Sequence, residues 1–519
     1  MASTFFGLTI AYSGLQAANT SLTITGHNVS NINTKGYTKQ QAGTQAADAL
    51  RTHTTYGAIG SGVVVTEISQ IRDSYYDVKY RNNMANYGQY SVKESYMGQI
   101  EDYLDEFTLN GYSQEYKNFF SAVNQITITP GDTSAKNQLI NNAKSLADYF
   151  NTLTTNLRNV QADANNEIKD AVQQINSYAK NIAALNRQIN QIEANYGNAN
   201  DLRDKRNAMI DELSEIVNLE TSEEDMGNNV SNFSVRINGQ TLVSSYSYNT
   251  LETVARTDKK NYSDAEGLYD VQWNSGQKFD MYSTSLSGHL KGLIDIRDGN
   301  NGEHENIETD DDGNNVTDSD GNLVLTTAPA ADKTVSYKGV PYYQAQLNEF
   351  AKIFSDAVNK IMKSGYTSDG SSKGISLFVT QPNTTVMSAG NITVNPELLK
   401  NADLLAIKKE QNDGESDAKI MEELNKLQSE KIFAGGTGSY FLESIVSDMS
   451  IDSQKAVNLY KNYTDLKTSI HNQRLSIMGV DTDEEAMDMI KYQQAYNLNS
   501  KMMSVMNQIY DKLINQTGI

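Results

Sequence analysis

Apolar positions near the start of the chain fall at alternating steps of four and three. The series Thr4, Leu8, Ala11, Leu15, Ala18, Leu22, Thr25, Val29 and Ile32 is apolar at seven of nine places, which is the spacing of a seam between packed helices. The stretch closes on Ser30 to Tyr37, whose Ser, Asn and Gly residues end a helix. The far end of the chain repeats the pattern at Met489, Tyr492, Tyr496, Asn499, Met503, Met506, Tyr510 and Leu513. A parallel row at Ala495, Leu498, Met502, Val505 and Ile509 widens that face. Two seamed helices at opposite ends predict pairing with each other and, through the remaining apolar surface, with other copies of the chain. The expected assembly seam is Leu8, Ala11, Leu15, Ala18, Leu22, Val29, Ile32, Met489, Tyr492, Tyr496, Met503, Met506, Tyr510 and Leu513.

Between the ends the periodicity changes several times. A Gly turn and the β-branched run Val63–Thr66 predict a strand. Helical spacing resumes from Arg72 to about Phe107 and breaks at Gly111; a shorter helix covers about 113–127. Asp132 or Thr133 is a natural N-cap for the longest signal, 134–195, whose 62 residues predict a rod of roughly 90 Å. A further helix runs from Asn200 to Val217. Period-two alternation from Asp225 to about Tyr282 predicts β structure, with Asn238-Gly239 as a hairpin turn. Gly288 to Asp298 reads as a short helix, 342–363 as a longer one, 395–413 as mostly helical, and 415–430 as helix again. The expected architecture is mainly α with a smaller β part, elongated and multidomain. Its parts are a terminal coiled-coil domain (1–50 with 480–519), a helical rod domain (51–224 with 342–479), a β-rich outer region (225–298) and an acidic exposed insertion (299–341).

Charge sharpens this picture. No Asp, Glu, Lys or Arg occurs from Met1 to Thr34, so the first helix is unlike a solvated surface helix. The whole chain of 519 residues carries a formal charge of −21, which argues against nucleic acid and an anionic membrane as partners. No run of 18 apolar residues offers a bilayer span. The N-terminus lacks the basic and continuously apolar segments of a secretory signal. There is no cysteine, hence no disulfide, thiolate metal site or Cys nucleophile. Five prolines suit long uninterrupted helices.

Candidate chemistry is sparse. The five histidines are not paired at metal-ligand spacing, and neither a nucleophile elbow nor a phosphate-binding loop occurs. The Gly-rich loop Phe433–Gly438 places Phe441 where a dinucleotide loop needs its third Gly. Glu308, Asp310, Asp312 and Gly313 follow an EF-hand register, but Ser319 stands where the bidentate Glu belongs, so a solvated loop is the better reading. No enzyme activity and no cofactor are expected.

Thr20 to Tyr37, with Asn28, Asn31, Thr34, Gly36 and Tyr37, is similar to the N-terminal signature of flagellar rod, hook and junction proteins. Three further stretches resemble the hook-associated junction proteins of that axial family. They are Asn200–Arg206 with Asp211–Ser214, Gly288–Asp298, and Gly479–Glu485 with Tyr492–Tyr496. The resemblance implies a structural protein of the hook–filament junction, exported through the flagellar type III apparatus without a cleaved signal peptide. It implies an extracellular ring of subunits at the hook tip, with paired terminal helices lining the inner tube. The implied neighbours are the hook protein and a second hook-associated junction protein, and a cytoplasmic export chaperone would bind the C-terminal region. Known members carry a sizeable outer domain after the segment matching Ser376–Val379; here only a short loop separates Phe378 from Ile392. The alternatives are another axial protein, hook or distal rod, and a secreted enzyme or adhesin with coiled-coil ends.

Overall fold

A computed structural model describes residues 6–51, 57–109, 112–299, 306–307, 325–326, 337–382, 384, 386–414, 416–433 and 436–516. Eleven α-helices carry most of the described chain. They are α1 (Phe6–Ser30), α2 (Ser74–Leu109), α3 (Tyr112–Ile128), α4 (Thr133–Glu193), α5 (Asn200–Ile216), α6 (His289–Asp298), α7 (Val340–Ser364), α8 (Pro396–Lys400), α9 (Lys419–Lys426), α10 (Gly438–Met478) and α11 (Thr482–Asn515). The strands form small antiparallel sheets, the largest of four strands. This is the mainly α architecture with a smaller β part that the periodicities predict. The helix break at Gly111, the four EF-hand-like positions with Ser319, and Ala434-Gly435 of the Gly-rich loop lie outside the described residues.

α4 runs unbroken for 61 residues because its sequence contains neither Gly nor Pro and its apolar positions keep helical spacing. Ser134 N donates to Asp132 Oδ1 at 2.8 Å at its start. It ends where Tyr196 adopts φ 62° and Gly197 N reaches back to Ile192 O, a left-handed turn that closes off the last carbonyls.

The chain divides into two compact units. The terminal unit comprises residues up to 85, 175–250 and 464 onward. In it a hairpin pairs Gln40–Ala46 with Val63–Gln70; the first of these strands falls in a Gly/Thr/Ala-rich stretch whose pattern predicts none, and its partner supplies the order. The four-stranded sheet is built around the expected Asn238-Gly239 turn, both residues at positive φ. Its Val235, Ile237, Leu242 and Val243 are fully buried. Two asparagines of α4 fasten the sheet: Asn186 Nδ2 donates to Ser245 O at 2.9 Å and Asn190 Nδ2 to Ser231 O at 2.8 Å. The Arg206 guanidinium stacks 3.8 Å above the Phe233 ring.

The central unit comprises 86–174 and 251–463. Its core is aromatic. Phe350 lies 4.9 Å from Phe433, centroid to centroid, with planes 3° apart, and also contacts Phe150 and Phe354. A second buried cluster is ionic. Arg297 is fully buried and donates to Tyr269 O, Asn165 Oδ1 and Asp298, while Arg256 reaches Asp298 from the other side at 2.8 Å. Burial alone would raise the Asp298 pKa, but the two guanidiniums hold it well below the usual carboxylate range. The expectation of helix over 395–413 is corrected here. Asn395 caps a five-residue helix, Asn401 caps a single 3-10 turn, and Ala406–Lys408 then pairs with Tyr366–Thr367 as a strand. Two capping asparagines within seven residues restart the backbone too often for one helix to propagate. Phe378–Thr380 and Ile392–Val394 pair directly, so the loop between them carries no outer domain.

Candidate assembly interface

Helices α1 and α11 run antiparallel and touch along their length. Three contacts fix the register. Asn28 donates to Glu485, Gly14 lies under Asn499, and Gly7 lies under Met506. From 28 to 14 to 7 on one helix, and from 485 to 499 to 506 on the other, the steps are equal and are multiples of seven, as in heptad packing. The approach is close because small residues face the partner. A Cβ on Gly14 would stand 2.7 Å from Asn499 Oδ1, and one on Gly7 would stand 2.8 Å from Met506 Cε.

The buried side of α1 is the row of Ala11, Ala17, Ala18, Ser21, Ile24, Thr25 and Asn28, and Gly7, Gly14 and Asn28 mark where the helix meets α11. Of the expected seam, Ala11 and Ala18 belong to this row. Leu8, Leu15 and Leu22 are half-buried at its flank. Val29 and Ile32 are exposed, and Ile32 lies beyond the end of α1. On α11, Tyr510 is buried, and Tyr492, Tyr496, Met503 and Met506 are half-buried, in the same seven-residue register. Met489 and Leu513 are exposed. The parallel row points away from α1: Leu498 is 67% exposed, Met502 49%, Val505 49% and Ile509 44%. α11 thus has two apolar faces, and among the described residues only one is covered.

The base of the pair explains the signature residues. Asn28 uses all four of its hydrogen-bonding positions. Its Nδ2 donates to Gln40 O at 2.9 Å and Glu485 Oε1 at 3.1 Å. Its Oδ1 accepts from Gln40 N at 3.0 Å and the Tyr37 hydroxyl at 2.8 Å. Because Tyr37 spends its single proton on Asn28, His27 Nδ1, 2.9 Å away, is the donor in that contact. Burial, and the nearby Asp201, Asp204 and Glu485, push the Tyr37 pKa up, which keeps that proton in place. Asn31 and Thr34 close the helix end: Asn31 Nδ2 donates to His27 O at 3.0 Å and Thr34 Oγ1 to Asn31 Oδ1 at 3.1 Å. Gly36 takes φ 81° and sits so close to Ala208 that a Cβ would be 3.0 Å from its methyl group.

Lys39 ties this base to α11. Its N donates to Met478 O at 2.9 Å, and its Nζ lies 2.7 Å from Glu484 and 3.3 Å from Glu485. Burial alone would lower the Lys39 pKa, but the two carboxylates outweigh it and the pKa is raised. Glu485 is 1% exposed. The sequence places Glu484 and Glu485 in the first turn of α11, where they complement its dipole. In the structure Asp481 caps that turn, and Glu485 is a buried partner of Asn28 and Lys39. Asn28, Lys39, Gln40, Glu485, Asp488 and Tyr492 are among the residues around a cavity of about 70 Å³.

The internal signature meets the same place. Asp204 accepts from Thr38 N at 2.9 Å and Thr38 Oγ1 at 2.7 Å, with Arg72 at 3.4 Å. Desolvation raises the Asp204 pKa against those bonds. Asp201 accepts from Gln40 Nε2 at 2.9 Å, and Lys35 pairs with Glu212 at 2.7 Å. Arg474 bridges Asp77 at 2.8 Å and Asp211 at 2.6 Å. Three stretches distant in sequence, 28–40, 200–212 and 478–485, thus converge at the root of the helix pair. Gly288–Asp298 belongs to the other unit. Sequence reasoning misses Lys39, Arg72, Asp204 as a buried acceptor, and Glu485. A usable signal exists for Glu485: it lies seven residues before Tyr492, so it is a polar residue at a seam position, and polar Asn28 stands seven beyond Ser21 on α1.

Among the described residues no cluster of His, Cys, Asp and Glu could hold a metal ion, and no helix is long and apolar enough to cross a membrane.

Comparison with known proteins bears on what this interface serves. Residues 97–378 match the model of the flagellar hook-associated protein FlgK helical domain, and residues 471–516 match that of the C-terminal region of flagellar basal body rod FlgEFG proteins. The chain is 27% identical to flagellar hook-associated protein 1 of Bacillus subtilis over 543 aligned residues, covering 100% of this chain and 99% of that one. It is 27% identical to the protein of the same name from Salmonella typhimurium, covering 97% and 98%. The fold is similar to the flagellar hook junction protein FlgK of Burkholderia pseudomallei, with a TM-score of 0.60 at 14% identity, covering 77% of this chain and 100% of that one. With a family model spanning more than half its length, the chain belongs to the flagellar hook-associated protein FlgK family and is a structural component of the extracellular flagellum at the hook junction.

Proposed function

We propose that the chain joins hook to filament as one subunit of a closed ring at the hook tip, reached by type III export. The α1–α11 pair serves as a coiled coil that lines the inner tube. Its outward face, with the flanking leucines of α1, is covered by neighbouring copies in the ring. The hook protein lies on one side and the second hook-associated junction protein on the other. A cytoplasmic chaperone holds the C-terminal region before export, shielding the same apolar row. The role is structural, with no catalysis and no cofactor. The observation that carries this reading is the second apolar face of α11, continuous with the covered one on the same helix. Beside it, α1 lacks charge, and like charges repeated around a ring would repel at short range.

The test is replacement of the gene by one encoding Leu498→Lys. Cells are expected to build hooks, bear no filaments and shed flagellin into the medium, as a deletion would. Attached filaments of normal number would contradict the assignment of this face to assembly.

A further inference from the structure

The outward face of α11 also carries a chemical liability. The chain has 16 methionines and no cysteine, so methionine is its only sulfur and its most readily oxidised side chain. Burial sorts the methionines sharply. Met97, Met362, Met421 and Met449 are fully buried in the central unit. Met487 is 65% exposed, Met489 41% and Met502 49%, all on α11. Met502 stands within the row of Leu498, Val505 and Ile509, and Met487, about three turns before Leu498, shares its side of the helix, whereas Met489 keeps the α1-facing register of Tyr496 and Met503 and is exposed at its margin. Met503 and Met506, which face α1, are half-buried. Met226, the other exposed methionine among the described residues, is 65% exposed but lies between two strands of the four-stranded sheet, off the helix pair.

We infer that Met487 and Met502 are reversible oxidation sites that switch off assembly of the free subunit. The oxidant is a peroxide. The thioether sulfur attacks one peroxide oxygen, the O–O bond breaks, an S–O bond forms and water leaves; sulfur is oxidised and peroxide reduced. A sulfoxide is polar and chiral, and it disrupts a methionine-rich contact surface. Two thiols of a sulfoxide reductase reverse the step, giving thioether, disulfide and water. In the ring the same sulfur atoms are covered, so the switch acts only before assembly. The inference rests on the proposal that the outward face of α11 is the assembly surface.

The experiment treats full-length subunit with hydrogen peroxide, maps sulfoxides by peptide mass spectrometry and measures co-sedimentation with purified hooks. Sulfoxide at Met487 and Met502 is expected to form roughly ten-fold faster than at Met97 or Met449, as access to the sulfur dictates. Hook binding is expected to fall by a similar factor and to return after treatment with methionine sulfoxide reductase. The Met487→Leu/Met502→Leu variant, compared with its own untreated binding, should show no further loss after peroxide, whereas Met226→Leu should lose binding as the wild type does. Treated wild type that is oxidised at both positions yet binds fully would overturn the inference, as would an equal fractional loss in the double variant. Untreated Leu498→Lys separates the two claims: if it binds hooks normally, the surface assignment itself fails.

Discussion

In the central unit, Phe350 stacks against Phe150, Phe354 and Phe433 in a buried core. In the terminal unit, α1 and α11 meet through Gly, Ala and Ser, and their most buried contact is an Asn–Glu–Lys cluster. The first arrangement buries large side chains and is stable because of area. The second buries little of α11 and leaves a row of large apolar residues in water. The difference separates a part that buries its own apolar surface from a part that, under the proposed function, is completed by its neighbours.

Core truncation gives the largest contrast. Phe350→Ala should destabilise the central unit by about 3–5 kcal/mol through the cavity left behind, whereas Leu498→Lys should stay within about 0.5 kcal/mol while abolishing assembly. Thermal melts beside hook co-sedimentation measure both. Equal destabilisation by the two would erase the distinction.

Next comes the hub. Asn28→Ala leaves Glu485, Gln40 and Tyr37 without a common partner, at a cost of about 1–3 kcal/mol for each buried group left unpaired. Hydrogen exchange should show faster opening of α1 and of the first turns of α11, with α3 and α7 unchanged. Uniform acceleration in all four helices would mean that the hub holds more than the helix pair.

Close approach gives a smaller effect. Gly14→Ala forces a methyl group against the Asn499 amide, which is itself bonded to Ala495 O, for a loss of about 1–3 kcal/mol. Asn499→Ala should restore most of that loss in the double variant. A purely additive double-mutant cycle would show that the two residues do not meet.

Most of the fold was legible because helices announce themselves by period. α4, α10, α11 and the Asn238-Gly239 hairpin follow from spacing, glycines and caps. The strand Gln40–Ala46 did not, because a polar strand on a two-stranded ribbon has no buried face to impose alternation. On α1 the seam was legible in period but only partly in phase, at Ala11 and Ala18. Sequence weighs leucine above glycine, so the Leu8–Leu15–Leu22 row looked like the contact. Close packing of two helices instead selects Gly7, Gly14 and Ser21, one position away. The buried Lys39–Glu485 pair was hidden for a related reason, since a charge in a helix's first turn is well explained without a partner.

Acid titration separates the two units least strongly, and with opposite signs. Asp298 has a depressed pKa, so its contribution to the central unit is present above its ordinary value near 3.8 and is lost as pH falls below it. Asp204 has a raised pKa; its folded form takes up a proton first, so the terminal unit gains from Asp204 as pH falls toward 3.8. Asp298→Asn should therefore flatten acid destabilisation of the central unit, while Asp204→Asn should steepen that of the terminal unit. Urea midpoints between about pH 2 and 6, the range of carboxylate titration, measure both slopes. The same sign in both variants would contradict the assignment.

The absence of native cysteine allows the most direct test of the central claim, that the outward face of α11 is covered by neighbouring subunits. A single Leu498→Cys substitution gives one thiol in the whole chain, and maleimide labelling reads its access to solvent. Rapid labelling is predicted in the free subunit and protection in assembled flagella; equal labelling in both states would contradict the account.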